Sequence, residues 1–272
     1  MPDNMRKLFL LYLLLTASLT CFSQQTWKAV WNIPLNEESR WDSDQAGIVY
    51  LFNNESISKL DTAGKQLLTQ STKSIGRIQK IDATNRLKIA LFSEDQQQVC
   101  YLDNALGIQP GCIELTLIGI TLAQTFATSV QTDRIWVYDQ LNSELQLVTL
   151  RNNQRQIIQN LRSLIDIGTV TQLFEFDNVL YLVDNLGQVA TFDNFGTFIG
   201  GYMLSANYVQ AFEKGLLYSS AGTIFAKASN GEKEEMFFRL ADTGEPIEHF
   251  RFTGNHLYVS TASSLMCFRL LP

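Results

Sequence analysis

The sequence of 272 residues predicts an all-β fold made of repeated antiparallel units, and three observations support this prediction. Short apolar runs alternate with tight turns along almost the whole chain. No segment beyond the N-terminal leader keeps the i, i+3, i+4, i+7 spacing of an amphipathic helix for three turns. The same strand and turn pattern also returns about every 42 residues, which is the length of a four-stranded blade.

The stretch 180–204 shows the repeated unit most clearly. Three apolar runs are separated there by two turns, at 184–187 and 193–196, and both turns read Asp-Asn-x-Gly. Aspartate and asparagine side chains cap a tight turn, and glycine accepts a positive φ. The stretch therefore predicts three short strands in an antiparallel meander.

The second strand of each unit marks the repeat along the chain. It is an apolar run that ends at a turn, and it occurs six times, at 48–52, 87–92, 135–138, 180–183, 216–218 and 257–259. A further strand, an Asp-to-Gly turn and a fourth strand follow in most copies. A unit of this kind cannot bury its apolar side chains alone, so the copies must stack on one another. We therefore expect a six-bladed β-propeller of four-stranded antiparallel blades.

The first and last strands of the propeller are expected to meet. The sixth unit starts at Ile247 and has room for only three strands, whereas 26–33 offers one strand more. On one side this strand would carry Trp27, Ala29, Trp31 and Ile33. Pairing this strand with the last blade would close the ring and remove two open sheet edges. The prediction is one propeller domain over residues 24–272.

Residues 1–23 have the layout of a secretory signal peptide. Arg6 and Lys7 precede a short apolar core, and small and polar residues follow it. This core is too short for a membrane-spanning helix, which needs about 20 residues. We expect cleavage before Gln24. The alternative is a lipoprotein acylated at Cys21, although a lipobox usually has a small residue directly before the cysteine and this chain has threonine there.

Composition and charge narrow the class of partner. The net charge is −6, with 21 basic and 27 acidic residues and no basic stretch, so a nucleic-acid partner is not predicted. No apolar run after the leader reaches the length of a membrane span. The mature chain is therefore expected to be a soluble, monomeric propeller in the periplasm or outside the cell.

Two cysteines flank a predicted turn. Cys100 and Cys112 lie on either side of 103–107 and could face each other across two strands. An oxidising compartment permits a disulfide there, worth about 2–3 kcal/mol for a loop this small. In the alternative interpretation these two residues and Cys267 are buried thiols. No cysteine or histidine spacing indicates a zinc site.

The densest cluster of candidate ligand-binding residues is Arg40, Trp41 and Asp42. Strand alternation places the two charges on one face and the ring on the other. His249 and Arg251, on the predicted inner strand of the last unit, could face the same channel. The cluster is either a polar site at the channel mouth for a peptide or carboxylate, or an ion pair over a packed tryptophan.

Catalytic and metal-binding signals are weak. His249 and His256 are the only histidines, and there is no Gly-x-Ser-x-Gly, so no catalytic residue is assigned. Hard oxygen donors that suit Ca²⁺ or Mg²⁺ lie on or near predicted inner strands, namely Asp42, Asp82, Glu175, Asp177 and Asn207. We interpret them as turn caps and channel-lining polar groups, and predict neither a metal nor a cofactor.

The strand–Asp-x-x-Gly–strand turns at 60–65 and 192–196, together with the six units, resemble NHL-type and related six-bladed propellers over 26–272. The end of the leader, Ser23-Gln24-Gln25, and the segment 39–42 look like small secreted propellers of Bacteroidota-type bacteria. This resemblance implies a binding or scaffolding surface more often than an enzyme.

The expected function is accordingly a non-catalytic module in the cell envelope that holds a protein or peptide partner. A metal-dependent hydrolase of lactonase type is one alternative, and a channel that binds a carbohydrate or another small ligand is a second.

Overall fold

The computed structural model describes residues 26–53, 55–228, 234–240 and 245–272, and the predicted leader with Cys21 lies outside these residues. The described strands form six four-stranded antiparallel sheets that are arranged in a ring as the blades of a propeller. The predicted all-β fold is therefore confirmed. Among the described residues, no helix has both the length and the apolar character needed to cross a membrane.

The strands follow the chain blade by blade, except that β1 (Trp27–Pro34) belongs to the last blade. Blade 1 consists of β2 (Arg40–Ser43), β3 (Val49–Asn53), β4 (Ser56–Leu60) and β5 (Gln66–Ser71). Blade 2 consists of β6 (Lys80–Asp82), β7 (Ile89–Ser93), β8 (Gln98–Leu102) and β9 (Ile113–Glu114). Blade 3 consists of β10 (Ala123–Thr128), β11 (Arg134–Asp139), β12 (Glu144–Thr149) and β13 (Gln154–Ile158).

The second half of the ring repeats this arrangement. Blade 4 consists of β14 (Val170–Phe176), β15 (Val179–Asp184), β16 (Gln188–Asp193) and β17 (Phe198–Met203). Blade 5 consists of β18 (Tyr208–Phe212), β19 (Gly215–Ser220), β20 (Thr223–Ala228) and β21 (Glu234–Arg239). Blade 6 consists of β22 (His249–Thr253), β23 (His256–Ser260), β24 (Ser264–Leu270) and β1. Short helices occur only in connections within the described chain, at Lys73–Ile75, Thr116–Ile118 and α1 (Leu161–Leu164).

The recurrent Asp-x-x-Gly sequence forms the same turn each time. In blade 1, Asp61 Oδ1 accepts hydrogen bonds from the backbone amides of Ala63 and Lys65, both at 2.9 Å. Gly64 has φ +78°, and a Cβ there would lie 2.7 Å from Trp31 Cγ. Both the backbone conformation and the close contact therefore require glycine at this position. Asp44, Asp184 and Asp193 make equivalent carboxylate caps. Asp103 makes the same cap in a turn whose fourth residue is Leu106, with φ +62°, in place of glycine.

Ring closure takes place through the N-terminal strand, as the sequence predicts. β1 pairs antiparallel with β24, from Trp27 opposite Leu270 to Pro34 opposite Ser264. However, the register shifts between Ala29 and Trp31, because Val30 is an extra residue in a β-bulge. The expectation that Trp27 and Trp31 point to one side is therefore wrong.

The bulge sends the two tryptophans to opposite faces of blade 6. Trp27 packs edge-on against Phe237 of blade 5, with ring centroids 5.5 Å apart. Trp31 instead donates its Nε1 hydrogen to the carbonyl oxygen of Thr62 in blade 1, at 3.1 Å. One strand thereby contacts both neighbours of the blade that it completes.

Cys100 and Cys112 are joined by a disulfide, with an S–S distance of 2.03 Å. Cys112 immediately precedes β9, which has only two residues, so the bond holds the short outer strand of blade 2 against β8. Cys267 is a buried free thiol in β24, and burial raises its pKa to about 12.

Candidate functional site

The first strand of each blade lines the central channel, and these six inner strands all run in the same direction. They are β2, β6, β10, β14, β18 and β22. Their C-terminal ends therefore meet at one end of the channel, which we call the mouth face. Their N-terminal ends meet at the other end, which we call the opposite face.

A cavity of about 1500 Å³ opens on the mouth face, and we call it the mouth cavity. Its inner end lies in the channel and is lined by Lys80, Asp82, Glu175 and Arg251. From there the cavity continues outward between blades 5 and 6, where its walls are largely apolar. Those outer walls include Trp27, Phe212, Ala226, Met236, Phe237 and Phe252.

Asp42 and Arg251 form a buried ion pair that joins the last blade to the first. Arg251 donates from Nε to Asp42 Oδ1 at 2.6 Å and from Nη2 to Oδ2 at 3.3 Å. The same carboxylate accepts the backbone amide of Ala83 in blade 2 at 2.8 Å. Burial alone would lower the pKa of Arg251, but the charge of Asp42 outweighs it and raises this pKa.

Arg40 takes no part in this pair. Its guanidinium donates to the backbone carbonyls of Glu37 at 2.9 Å and Ser39 at 2.7 Å. Arg40 is the first residue of β2, so its side chain folds back over the preceding loop. The partner of Asp42 is thus Arg251, 209 positions away in sequence, and not the basic residue two positions before it.

His249 is packed between two aromatic rings at the end of the channel away from the mouth. Its ring stacks on Trp41 with centroids 4.1 Å apart and lies 4.3 Å from the ring of Tyr208. Burial, together with the charges of Arg251 and Lys80, lowers the pKa of His249 well below its usual value. The imidazole is therefore neutral at pH 7. Trp41 is 5% exposed and packs in the core between blades 6 and 1.

Lys80 and Asp82 belong to the same channel cluster. Lys80 Nζ donates to the carbonyl oxygens of Phe126 at 2.5 Å and Leu173 at 2.7 Å, and so ties blade 2 to blades 3 and 4. Burial lowers the pKa of Lys80 to about 8, against the raising effect of Asp82.

Asp82 is held by Thr128 of the next blade. Its Oδ2 accepts hydrogen bonds from the Thr128 amide at 2.9 Å and hydroxyl at 2.8 Å. Burial alone would raise the pKa of Asp82, but Lys80 and these hydrogen bonds outweigh it, so the pKa is lowered.

Sequence reasoning did not place Lys80 among the site residues, although a signal for it exists. Lys80-Ile81-Asp82 repeats the basic–apolar–aspartate order of Arg40-Trp41-Asp42 at the corresponding strand of the next blade. Comparing equivalent positions of the repeat, and not only the densest cluster, would have found it.

Glu175 lies in the wall of the mouth cavity with one carboxylate oxygen engaged. Its Oε2 accepts the indole hydrogen of Trp136 at 2.9 Å, whereas Oε1 is buried and has no hydrogen-bond partner among the described residues. Asp177 and Asn207 are exposed, and neither of them lines the mouth cavity. Within the described chain, no group of three or more histidine, cysteine, aspartate or glutamate residues is placed to hold a metal ion.

Comparison with known proteins supports the fold alone. No family model matches the sequence, and no curated protein matches it. Virginiamycin B lyase from Staphylococcus aureus superposes with a TM-score of 0.63 at 10% identity, over 90% of this chain and 100% of that one. A streptogramin B lyase gives 0.58 at 12% identity, over 90% and 98%. BBS1N, solved in complex with ARL6DN, gives 0.53 at 14%, over 84% and 78%.

These neighbours include lyases and a protein that was solved with a partner, so the fold does not choose between catalysis and binding. The class that the fold and the site define is a six-bladed β-propeller with a charged channel and a large cavity on one face.

Proposed function

We propose that this chain is an exported, non-catalytic propeller that binds a peptide segment of a protein partner in the mouth cavity. The observation that carries this proposal is the size and shape of the cavity. Small-molecule pockets usually measure about 300–1,000 Å³, and this cavity is about 1500 Å³ and extends from the channel to the gap between two blades. Such a shape suits an extended segment better than a compact ligand.

The walls offer the contacts that a peptide needs. Trp27, Phe237 and Phe252 provide aromatic surface in the outer part, and Met236 beside them is 55% exposed. Aromatic residues and methionine are enriched at protein interfaces, because they bury large areas and adapt to side chains of different shape. The inner end adds charged groups, which would fix the orientation of the bound segment.

The channel chemistry favours binding over catalysis. A general acid or base must be free to reach a substrate and must have a pKa near the working pH. His249 is enclosed by aromatic rings, and its pKa is well below its usual value. The pKa of Lys80, about 8, meets the second condition, but its ammonium is directed at two backbone carbonyls and not at the cavity. These groups tie blades together, which is a structural role.

The two alternative functions have less support. In a lactonase-type hydrolase several channel carboxylates would have to converge on one cation, but Asp42 binds Arg251 and Asp82 binds Thr128. A small-ligand binder would leave much of the mouth cavity unfilled.

The cell envelope is the proposed location. The supports are the signal-peptide layout of residues 1–23, with cleavage before Gln24, and a disulfide that an oxidising compartment maintains. In the alternative, the exported chain stays attached to a membrane through a lipid on Cys21.

Filling the cavity tests the proposal. Ala226 lines the gap between blades 5 and 6, so Ala226→Trp should block it. Leu67→Trp adds the same ring on an outer strand where the side chain is 51% exposed, and it serves as the control. The mature chain is panned against a random peptide display library, and affinities of the selected peptides are measured by fluorescence anisotropy.

We expect enrichment of binding peptides, an affinity loss of about tenfold or more in Ala226→Trp, and no change in Leu67→Trp. A loss of this size corresponds to about 1.4 kcal/mol. Failure to enrich any peptide, or equal binding by both variants, would overturn the proposal.

A further inference from the structure

We propose that the bound peptide adds a β-strand to the free edge of β21, the outer strand of blade 5. This inference rests on the proposed peptide-binding function and specifies its ligand. The ligand is an extended segment that pairs its backbone N–H and C=O groups with those of β21. Its side chains on one face are apolar and pack on the aromatic wall of the mouth cavity.

The first argument is that the mouth cavity reaches both faces of β21. Met236 is paired with Phe225, which packs in the cluster between blades 4 and 5. Phe238 is paired with Ile224, which lies in the core between blades 5 and 6. The cavity is lined by all of 235–239, so it follows the strand along most of its length. A cavity that touches both faces of a strand also includes the edge between them.

The second argument is that this edge has no strand beside it. β21 is the last strand of its sheet, and its only strand partner among the described residues is β20. In such a strand every second residue points its N–H and C=O groups away from the sheet, where another extended chain can pair with them. The carbonyl oxygen of Phe237 accepts the indole hydrogen of Trp27 from blade 6 at 3.3 Å. The edge is therefore accessible to a donor that comes from the cavity side.

The third argument is the aromatic wall next to this edge. The rings of Trp27, Phe237 and Phe252 lie edge to face, with centroids 5.0 to 6.1 Å apart. Phe237 is the extra residue of a β-bulge in β21, and a bulge can redirect a side chain. Because the indole hydrogen of Trp27 is already bound, the wall offers apolar contact only. An added strand would therefore place apolar side chains at alternate positions against it.

Among the outer strands that the structure describes, β21 alone combines these features. The mouth cavity has no lining residue from β5, β9, β13 or β17, and β1 contributes only Trp27. The other outer edges therefore lack an adjacent cavity that could receive the side chains of an added strand. Recognition of both the backbone and alternate side chains is what strand addition requires.

Backbone N-methylation of a peptide selected from the display library tests the mode of binding. Each N-methyl group removes one backbone donor and leaves the side chain unchanged. In an added strand only every second N–H points to β21, so N-methylation there should lower the affinity about tenfold or more. The intervening positions should lose little and are the internal control, because any general effect of N-methylation would appear there as well. Fluorescence anisotropy with residues 24–272 measures the affinities.

Photocrosslinking identifies the strand that receives the peptide. The same peptide carries a diazirine side chain at one position at a time, and mass spectrometry locates the crosslinks. We expect crosslinks to 234–239 and none to the outer strands of blades 1 and 4, at 66–71 and 198–203, which are the controls.

The outcomes separate this inference from the proposed function. Equal sensitivity to N-methylation at all positions, or crosslinks that avoid 234–239, together with a loss of binding in Ala226→Trp, would overturn strand addition and leave peptide binding standing. Failure to select any peptide would overturn both.

Discussion

At the scale of single residues, the channel shows how one sequence motif can have two structural outcomes. Arg40 and Lys80 occupy corresponding positions two residues before a buried aspartate. Arg40 turns back to the carbonyls of its own loop, whereas Lys80 crosses to carbonyls of the next two blades. Which carbonyls each cation binds depends on the acceptors that the closed propeller places near its side chain.

His249 predicts a pH dependence of stability. Its pKa in the folded chain is far below 6.5, its usual value, so the unfolded chain takes up a proton near pH 6.5 and the folded chain does not. Stability is therefore full above this pH. Below about pH 6.5 the free energy of unfolding decreases as the pH falls, with a limiting slope of about 1.4 kcal/mol per pH unit.

We expect His249→Phe, which retains a ring between Trp41 and Tyr208, to abolish most of this slope between pH 7.5 and 5. His256→Asn is the matched control and should keep most of it, because His256 lies at a turn and is only partly buried. Urea unfolding at several pH values measures the effect. Identical slopes in wild type and His249→Phe would show that the imidazole does not titrate as described.

Only part of the candidate site can be predicted from sequence. The placement of Asp42, His249 and Arg251 on inner strands follows from the repeat and from strand alternation. Their partners do not follow, since the pairing of Arg251 with Asp42 exists only because the ring closes. The sequence does not distinguish Glu175 from the other carboxylates on inner strands. Its hydrogen bond to Trp136, and its second oxygen without a partner among the described residues, follow only from the three-dimensional packing.

At the scale of elements, β1 is the strand whose details the sequence predicts least well. Its role in closure follows from the three-stranded last unit, but the bulge at Val30 does not, because a strand pattern is read with strict alternation. The extra residue allows one strand to place a tryptophan on each side of blade 6. Trp27 contacts blade 5 and the mouth cavity, and Trp31 contacts blade 1.

This division of roles predicts that the two tryptophans differ in function but not in stability. Trp27→Ala and Trp31→Ala should each lower the free energy of unfolding by about 2–3 kcal/mol, less than for a fully buried tryptophan because both are partly exposed. Only Trp27→Ala should also weaken peptide binding, since only Trp27 lines the cavity. Denaturant unfolding and fluorescence anisotropy measure the two effects. An equal loss of binding in Trp31→Ala would contradict the assignment.

At the scale of the whole molecule, the fold was predictable because every level of the sequence agrees. Strand length, Asp-x-x-Gly turns and the spacing of the units all point to the same ring. The cavity was not predictable, because its walls come from segments that are remote in sequence, and its width depends on how β1 and the described parts of blades 5 and 6 pack together.

Both ends of the propeller carry exposed apolar side chains in their loops. Leu117, Leu141, Leu164 and Leu186 lie on the opposite face, and Leu87, Val130 and Phe195 lie on the mouth face, which also has the cavity. Loops on a rigid scaffold commonly carry function, so either face could in principle bind a partner. We assign the peptide to the mouth face, because the cavity lies there.

Hydrogen–deuterium exchange of residues 24–272, with and without a peptide selected from the display library, tests this assignment most directly. We predict slower exchange at 174–176, 210–214, 235–239 and 251–254, where the inner end and the outer walls of the mouth cavity lie. Slower exchange confined to the opposite-face loops at 139–144 and 184–187, with no change around the cavity, would contradict it.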